Sequence, residues 1–268
     1  MPEGHIIHRL AAENATTFGS RPVRVTSPQG RFAEGAALID GRTLDGAEAH
    51  GKHLFLGFGE SWVHIHLGLY GGFTFGAGQA PAPVGQIRLR LETEEAYADL
   101  RAPNTCELLT PGEKAAVHRR LGPDPLRADA VPNEAWHRIA ASGTTVGALL
   151  MDQKVLAGVG NVYRAEVLFR LGISPHRAGR DLTRTEWDAI WADLVALMRE
   201  GVGVGRIDTV RPEHTPEAMN RPPRVDDHGG EVYVYRRADQ PCHVCGTGVR
   251  TETMASRNLF WCPTCQQR

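Results

Sequence analysis

Apolar and polar positions change rhythm twice along this chain of 268 residues. From Gly4 to Phe18, Ile6, Ile7, Leu10 and Ala11 fall on one helical face and Gly19 supplies a stop, which predicts an N-terminal helix. Between residues 22 and 110 the period becomes two. Val23/Val25, Leu54/Leu56/Phe58, Val63/Ile65/Leu67 and Ile87/Leu89/Leu91 alternate with their neighbours, and glycine-rich breaks separate the runs. Short strands without intervening helices predict an antiparallel sandwich or barrel. Leu121-Gly122-Pro123-Asp124-Pro125 ends that pattern. Helical spacing then returns in Trp136–Ala141, Val146–Gln153, Val162–Leu171 and Glu186–Glu200, the last opened by a Thr183/Glu186 capping box. Residues 211–231, rich in Pro, Gly and charge, are expected to form a mobile loop. There is no internal repeat.

The cysteines add a metal site to this outline. Four of the five lie between 242 and 265, as Cys242-x2-Cys245 and Cys262-x2-Cys265. Two C-x2-C knuckles separated by enough chain for a β-hairpin are the spacing of a tetrathiolate zinc site. Four protein ligands leave no open coordination position, so the expected ion is structural. Cys106 is read as a small core residue.

Composition narrows the class without deciding it. At 41% hydrophobic and 23% charged the chain is globular, and its longest apolar run, Val146–Met151, is far too short to span a membrane. The N-terminus carries neither a basic nor an apolar signal region, so a cytoplasmic protein is expected. A net charge of −1 argues against a uniformly basic, polyanion-binding surface. Arginines nevertheless cluster at Arg88/Arg90, Arg119/Arg120, Arg236/Arg237 and Arg250/Arg257.

The chemistry-bearing candidates begin at the N-terminus. Removal of Met1 would leave Pro2 with a free secondary amine beside the carboxyl of Glu3. Such an amine can attack a carbonyl-like carbon and form an iminium. An α-amino group titrates near pH ~8, so a useful fraction is neutral at physiological pH. A helix start at this point disfavours an ammonium further. Gly51-Lys52-His53 forms a turn before a strand and offers a cation or proton donor. The Ala157-Gly158-Val159-Gly160-Asn161 turn between two expected helices either aims backbone amides and the Asn161 side chain at a phosphate or is a plain helix–turn–helix corner. His64 and His66 are read as polar-core histidines. Leu69 and Tyr70, flanked by Gly68 and Gly71, are bulky side chains at an expected loop tip, suited either to core packing or to insertion between bases.

Taken together, these segments resemble the formamidopyrimidine-DNA glycosylase / endonuclease VIII family of DNA repair enzymes. The resemblance rests on Pro2-Glu3-Gly4, Gly51-Lys52, Leu121-Gly122-Pro123-Asp124, Leu156 through Tyr163, and Ser256-Arg257 leading into Trp261-Cys262-Pro263-x-Cys265. It implies an α+β multidomain fold. A β-sandwich with an N-terminal helix would occupy 1–121, a helix–two-turn–helix domain with the loop 122–230, and a zinc-finger hairpin 231–268.

The resemblance also implies a bifunctional DNA glycosylase/AP lyase acting on damaged double-stranded DNA as a monomer. By resemblance, Pro2 is the nucleophile, Glu3 the acid/base, Lys52 a partner in β-elimination and lesion contact, and Arg257 a phosphate grip that assists the second elimination. Asn161, Arg101 and Arg120 would contact DNA, and Leu69 and Tyr70 would fill the void left by a flipped base. Asp99-Leu100-Arg101 is followed by Ala102 and Pro103, not by the wedge phenylalanine usual in oxidised-purine glycosylases. With Leu69-Tyr70, that departure favours oxidised pyrimidines over oxidised purines. Ile6 stands where the family often has an acid.

Overall fold

The structure, a computed structural model, describes residues 2–225 and 230–267. The expected removal of Met1, and residues 226–229 of the expected loop, lie outside the described residues. The chain forms two compact units, Met1–Arg120 and Leu121–Arg268.

The first unit opens with helix α1, Gly4–Phe18, whose inward face buries Ile7, Leu10, Ala11 and Phe18 as its spacing predicts. The following elements are β1 (Arg24–Thr26), α2 (Ala33–Ile39), β2 (Gly46–His50), β3 (His53–Phe58), β4 (Ser61–His66), β5 (Gly72–Ala77), β6 (Ile87–Glu92), β7 (Ala96–Arg101), β8 (Thr105–Leu109) and α3 (Pro111–Arg119). The strands form two four-stranded antiparallel sheets, ordered β1-β6-β7-β5 and β2-β3-β4-β8. One core joins them: Val25, Leu89, Leu91, Ala98 and Leu100 of one sheet cluster with Leu54, Leu56, Phe58, Val63 and Ile65 of the other. That is the sandwich. Within the first sheet, Arg90 and Asp99 face each other across β6 and β7 and pair at 2.6 and 2.9 Å while almost fully buried.

One element here departs from the run of strands expected between residues 22 and 110. Residues 33–39 form a helix, and Ala36 and Ile39 bury against the core. Seven residues give too few turns for helical spacing to stand out, and packing on β1 decides the conformation.

The second unit contains α4 (Pro132–Ala140), α5 (Val146–Leu149), α6 (Asn161–Arg170), α7 (Arg184–Val204) and the hairpin β9 (Arg250–Met254)–β10 (Arg257–Trp261). The Thr183/Glu186 capping box is formed as its sequence predicts. The helix expected over 146–153 stops at Leu149. Gln153 instead ties the next turn together: its Nε2 donates to Met151 O and Val159 O, and its Oε1 accepts from Gly158 N.

Helix α6 is buried nearly all round, and its Glu166 is fully buried. That carboxylate accepts from three successive backbone amides, Tyr233 N, Val234 N and Tyr235 N at 2.7–2.9 Å, and from the Thr209 hydroxyl at 2.6 Å. Thr209 and Tyr233 bracket the segment expected to be a mobile loop. The described part of that segment is hydrogen-bonded in place. Arg211 N donates to the Tyr233 hydroxyl, Arg221 pairs with Glu231 at 2.7 Å, and Arg224 N donates to Glu231.

An isosteric amide at 166 loses the charge and offers an NH2 group to donors. Glu166→Gln should therefore destabilise this unit by at least about 2 kcal/mol in denaturant unfolding, since hydrogen bonds to buried charged groups exceed neutral ones. A change below about 0.5 kcal/mol, the range of ordinary surface substitutions, would contradict the anchoring role.

Candidate active site and zinc centre

In the first unit, Glu3 occupies the position before α1 in an extended conformation, φ −112° and ψ −179°. Its side chain makes no capping bond to the helix, although it is fully buried. The carboxylate is thus not spent on helix termination. Half-buried Pro2 precedes it. Burial pushes the neighbouring His5 imidazole down to about 4, so it is neutral at physiological pH and adds no cation next to Pro2.

Helix α1 packs on β2 and β3, and the turn joining those strands carries Lys52. His50 and His53 pair across the turn, leaving Gly51 and Lys52 as its two central residues. Gly51 has φ +59°, the conformation a two-residue hairpin requires at its first position and one that glycine adopts without strain. Lys52 is half-buried.

Leu69 and Tyr70 sit in the β4–β5 turn, 46% and 88% exposed, so neither is a core residue. Gly68 fixes this presentation. It has φ +70°, and a Cβ there would lie 2.2 Å from Asn104 Oδ1. Arg101, at the end of β7, is held within its own sheet: its guanidinium reaches Asp99 at 3.2 Å, Thr74 at 3.1 Å and Val84 O at 3.3 Å. Arg120 is exposed at the C-terminal end of α3.

In the second unit, Gly160 leads into α6 and Asn161 is its first residue, 5% exposed. The Asn161 amide is already engaged: Nδ2 donates to Asn258 O at 2.8 Å, and Oδ1 accepts from Arg164. Fully buried Arg164 also reaches Gly147 O at 3.3 Å and Met254 O at 3.4 Å. The structure therefore brings Asn161 against the hairpin strand that begins with Arg257. Ala255 and Ser256, φ +52° and +58°, make the tight turn between β9 and β10, and Arg257 stands exposed beside it.

The four hairpin cysteines converge as their spacing predicts, with all sulfurs within 4.8 Å of one another. Cys242 and Cys265 lie 3.9 Å apart, and Cys245 and Cys262 3.5 Å. Tetrahedral thiolates at a zinc–sulfur distance of about 2.3 Å stand about 3.8 Å apart, so the set fits zinc. Burial pushes the Cys242 and Cys265 thiols up, and a bound cation reverses that by stabilising the thiolates.

Three family models match the chain. The formamidopyrimidine-DNA glycosylase N-terminal domain matches residues 1–106, its H2TH domain residues 121–212, and the zinc finger found in FPG and IleRS residues 239–268. The chain belongs to the formamidopyrimidine-DNA glycosylase / endonuclease VIII family.

Among its relatives, "Endonuclease 8 1" of Mycobacterium tuberculosis is 52% identical over 99% of this chain and 100% of that protein. The "DNA-(apurinic or apyrimidinic site) lyase Nei2" of Mycolicibacterium smegmatis is 31% identical over 99% of both. The formamidopyrimidine-DNA glycosylase of Methylococcus capsulatus is 32% identical over 100% of this chain and 99% of that one. A solved complex of Lactococcus lactis Fpg with DNA containing an abasic site has the same fold, with a TM-score of 0.78 at 20% identity over 99% of this chain and 100% of that one. The protein is thus a DNA glycosylase and AP lyase with one structural zinc ion. No helix among the described residues is long and apolar enough to cross a membrane.

Two functional supports escape a reading of the sequence. Arg164 shares a helical face with Asn161 at i,i+3 spacing, but nothing local shows that it is buried against the hairpin. Glu166 looks like an ordinary surface acid on an amphipathic helix.

Zinc binding by small finger peptides is worth roughly 10–16 kcal/mol, so the hairpin depends on its ion. Cys262→Ser should lose zinc and DNA affinity while far-ultraviolet spectra of the sandwich unit persist. Full zinc occupancy with unchanged affinity would contradict this.

Proposed function

We propose that the protein is an endonuclease VIII-type glycosylase/lyase that removes oxidised pyrimidines from duplex DNA and cleaves the strand at abasic sites. The observation that carries this reading is the β4–β5 turn, where Leu69 and Tyr70 are exposed although both are large apolar side chains. A base inside a duplex is out of reach, and flipping it out costs a few kcal/mol, which side chains entering the void offset. Nothing comparable follows Arg101: Ala102 is small and Pro103 is buried. The 52% identity to "Endonuclease 8 1" supports the same branch. Oxidised-purine preference is the competing reading.

In this mechanism the Pro2 amine, freed by loss of Met1, attacks C1′ as the C1′–base bond breaks, and the proton that the new C1′–N ammonium gives up offsets the one that the departing base takes. Glu3 protonates the sugar ring oxygen and thereby opens the ring to the iminium. The iminium acidifies C2′–H. Loss of that proton, with Lys52 beside the sugar, expels the 3′-phosphate by β-elimination, and a second elimination releases the 5′-phosphate. Arg257 balances phosphate charge in that step, and Arg120, Arg101 and Asn161 are further contacts to the DNA backbone. The protein acts as a monomer in the bacterial cytoplasm or nucleoid.

Competing duplexes carrying thymine glycol and 8-oxoguanine test lesion preference, and faster excision of 8-oxoguanine would overturn it. Leu69→Ala should slow base removal more than cleavage of a ready-made abasic site, because only the first substrate must still be unpaired and held open. Arg257→Ala should weaken binding to all duplexes and flatten the slope of log K against log salt by up to about 0.9 for each phosphate charge no longer neutralised. Leu69→Ala should leave that slope unchanged. Equal slowing of both substrates, or an Arg257-like salt effect at Leu69, would refute the void-filling role.

A further inference from the structure

The β2-β3-β4-β8 sheet has a second buried face, turned away from the sandwich core. Leu54, Leu56, Val63 and Ile65 point into that core. The alternate residues of β3 and β4 bring Phe55, His53, His64 and His66 to the opposite side, where α3 contributes His118 and Lys114. Phe55 packs between imidazoles, 5.0 Å from His64 and 4.9 Å from His118 between ring centres. None of the nucleophile, DNA-contacting or zinc residues accounts for a cluster of histidines here.

Its hydrogen bonds run in one direction. His64 Nδ1 lies 2.9 Å from the Glu107 carboxylate, which can only accept, so that nitrogen carries a proton. In neutral His64 the Nε2 is then an acceptor, and His53 Nδ1, 2.8 Å away, donates to it. A separate pair, His50 Nδ1 and His118 Nδ1 at 3.1 Å, ties β2 to α3. His50 and His53 are the two residues flanking Gly51-Lys52. Each side of the lysine turn is therefore gripped by a different element, one by α3 and the other through β4 to β8.

We propose that the chain Glu107–His64–His53, together with the His50–His118 pair, is a positioning device that fixes the Lys52 turn for the strand-cleaving step. The inference rests on the lyase reading above and deepens it. Misplacing a group by about 1 Å can cost of the order of 10²-fold in rate, so a lysine on a two-residue turn gains from having both flanks held.

The titratable and charged groups facing this cluster are Lys52, Arg120, His66, Glu107 and the Glu48–Lys114 pair, whose lysine stands 3.3 Å over the Trp62 ring. Burial, then His64, His66, His50 and Arg120, pushes His53 down to about 3, and burial with His64 and Lys52 lowers His66. Burial thus holds both toward the neutral form in the folded protein. The contribution of His53 to stability is complete above its unfolded value near ~6.5 and is lost as pH falls through that window toward about 3. Wild type should therefore lose more stability between neutral and acid pH than His53→Asn does.

The decisive test is single-turnover cleavage of a duplex with a preformed abasic site. His53→Phe keeps a ring but removes the donor, and should slow cleavage about tenfold, or ~1.4 kcal/mol, with DNA affinity and borohydride-trapped yield unchanged. His53→Asn, whose amide places a donor near the Nδ1 position, should restore most of the rate. In a Lys52→Ala background, His53→Phe should add nothing, because residues acting as a unit are not additive. An equal loss in both backgrounds, or no loss in either, would overturn the proposal. If His53→Phe fails to fold, Glu107→Ala replaces it. That half-exposed residue tests the same chain, and an unchanged cleavage rate would refute the idea. Failure of the wild type to cleave abasic DNA would instead remove the lyase reading on which the inference stands.

Discussion

A buried carboxylate has to be satisfied on all sides or it destabilises the fold, and Glu166 shows what that requirement organises. Its oxygens accept from three successive amides of residues 233–235 and from Thr209. The anion therefore draws the two ends of a long irregular segment onto helix α6. The same helix begins with Asn161 and buries Arg164, which reach the zinc hairpin through Asn258 O and Met254 O. One helix thus holds the segment before the zinc finger with its acid and the finger itself with its amide and guanidinium. The position of Arg257 depends on both grips and on the zinc. Short peptides with two C-x2-C knuckles need only the metal; this hairpin is also moored to a helix.

The first unit treats its titratable groups differently. Around Pro2, Glu3 and the Lys52 turn, burial removes charge from the imidazoles: His5 and His53 are pushed well below the usual histidine range, and His66 is lowered as well. His50 and His53 hold the two flanks of that turn by hydrogen bonds and ring packing to His118 and His64. The sandwich supplies the rigidity, because β3 packs on both faces, Leu54, Leu56 and Phe58 toward the core and Phe55 toward α3.

Much of this was legible in the sequence because its signals are local. Period-two alternation marked the strands with Leu54 and Val63, the Thr183/Glu186 box marked α7, and the cysteine spacing marked the metal site. Glycines reported the turns that present Lys52 and Tyr70, since positive φ is a single-residue demand. What escaped detection depends on distant partners. Residues 33–39 form a helix because Ala36 and Ile39 find a core, and residues 150–156 leave the helical path because Gln153 finds three turn partners. Nothing local marks Arg164 and Glu166 as buried, and the histidines of β2, β3, β4 and α3 become a ladder only once strand register aligns them. Whether Leu69 and Tyr70 belonged to the core or to a partner was open in the sequence. Their exposure decides against the core.

The proposed chemistry requires that the N-terminal amine of Pro2, and not the ε-amine of Lys52, form the covalent bond to DNA. Borohydride reduction of the reaction with an abasic duplex, followed by nuclease and protease digestion and mass spectrometry of the peptides, tests it directly. The sugar remnant should be found on the peptide that begins at Pro2, with Lys52 unmodified. A remnant on Lys52, or no adduct with protein whose Met1 is shown to be absent, would contradict this assignment.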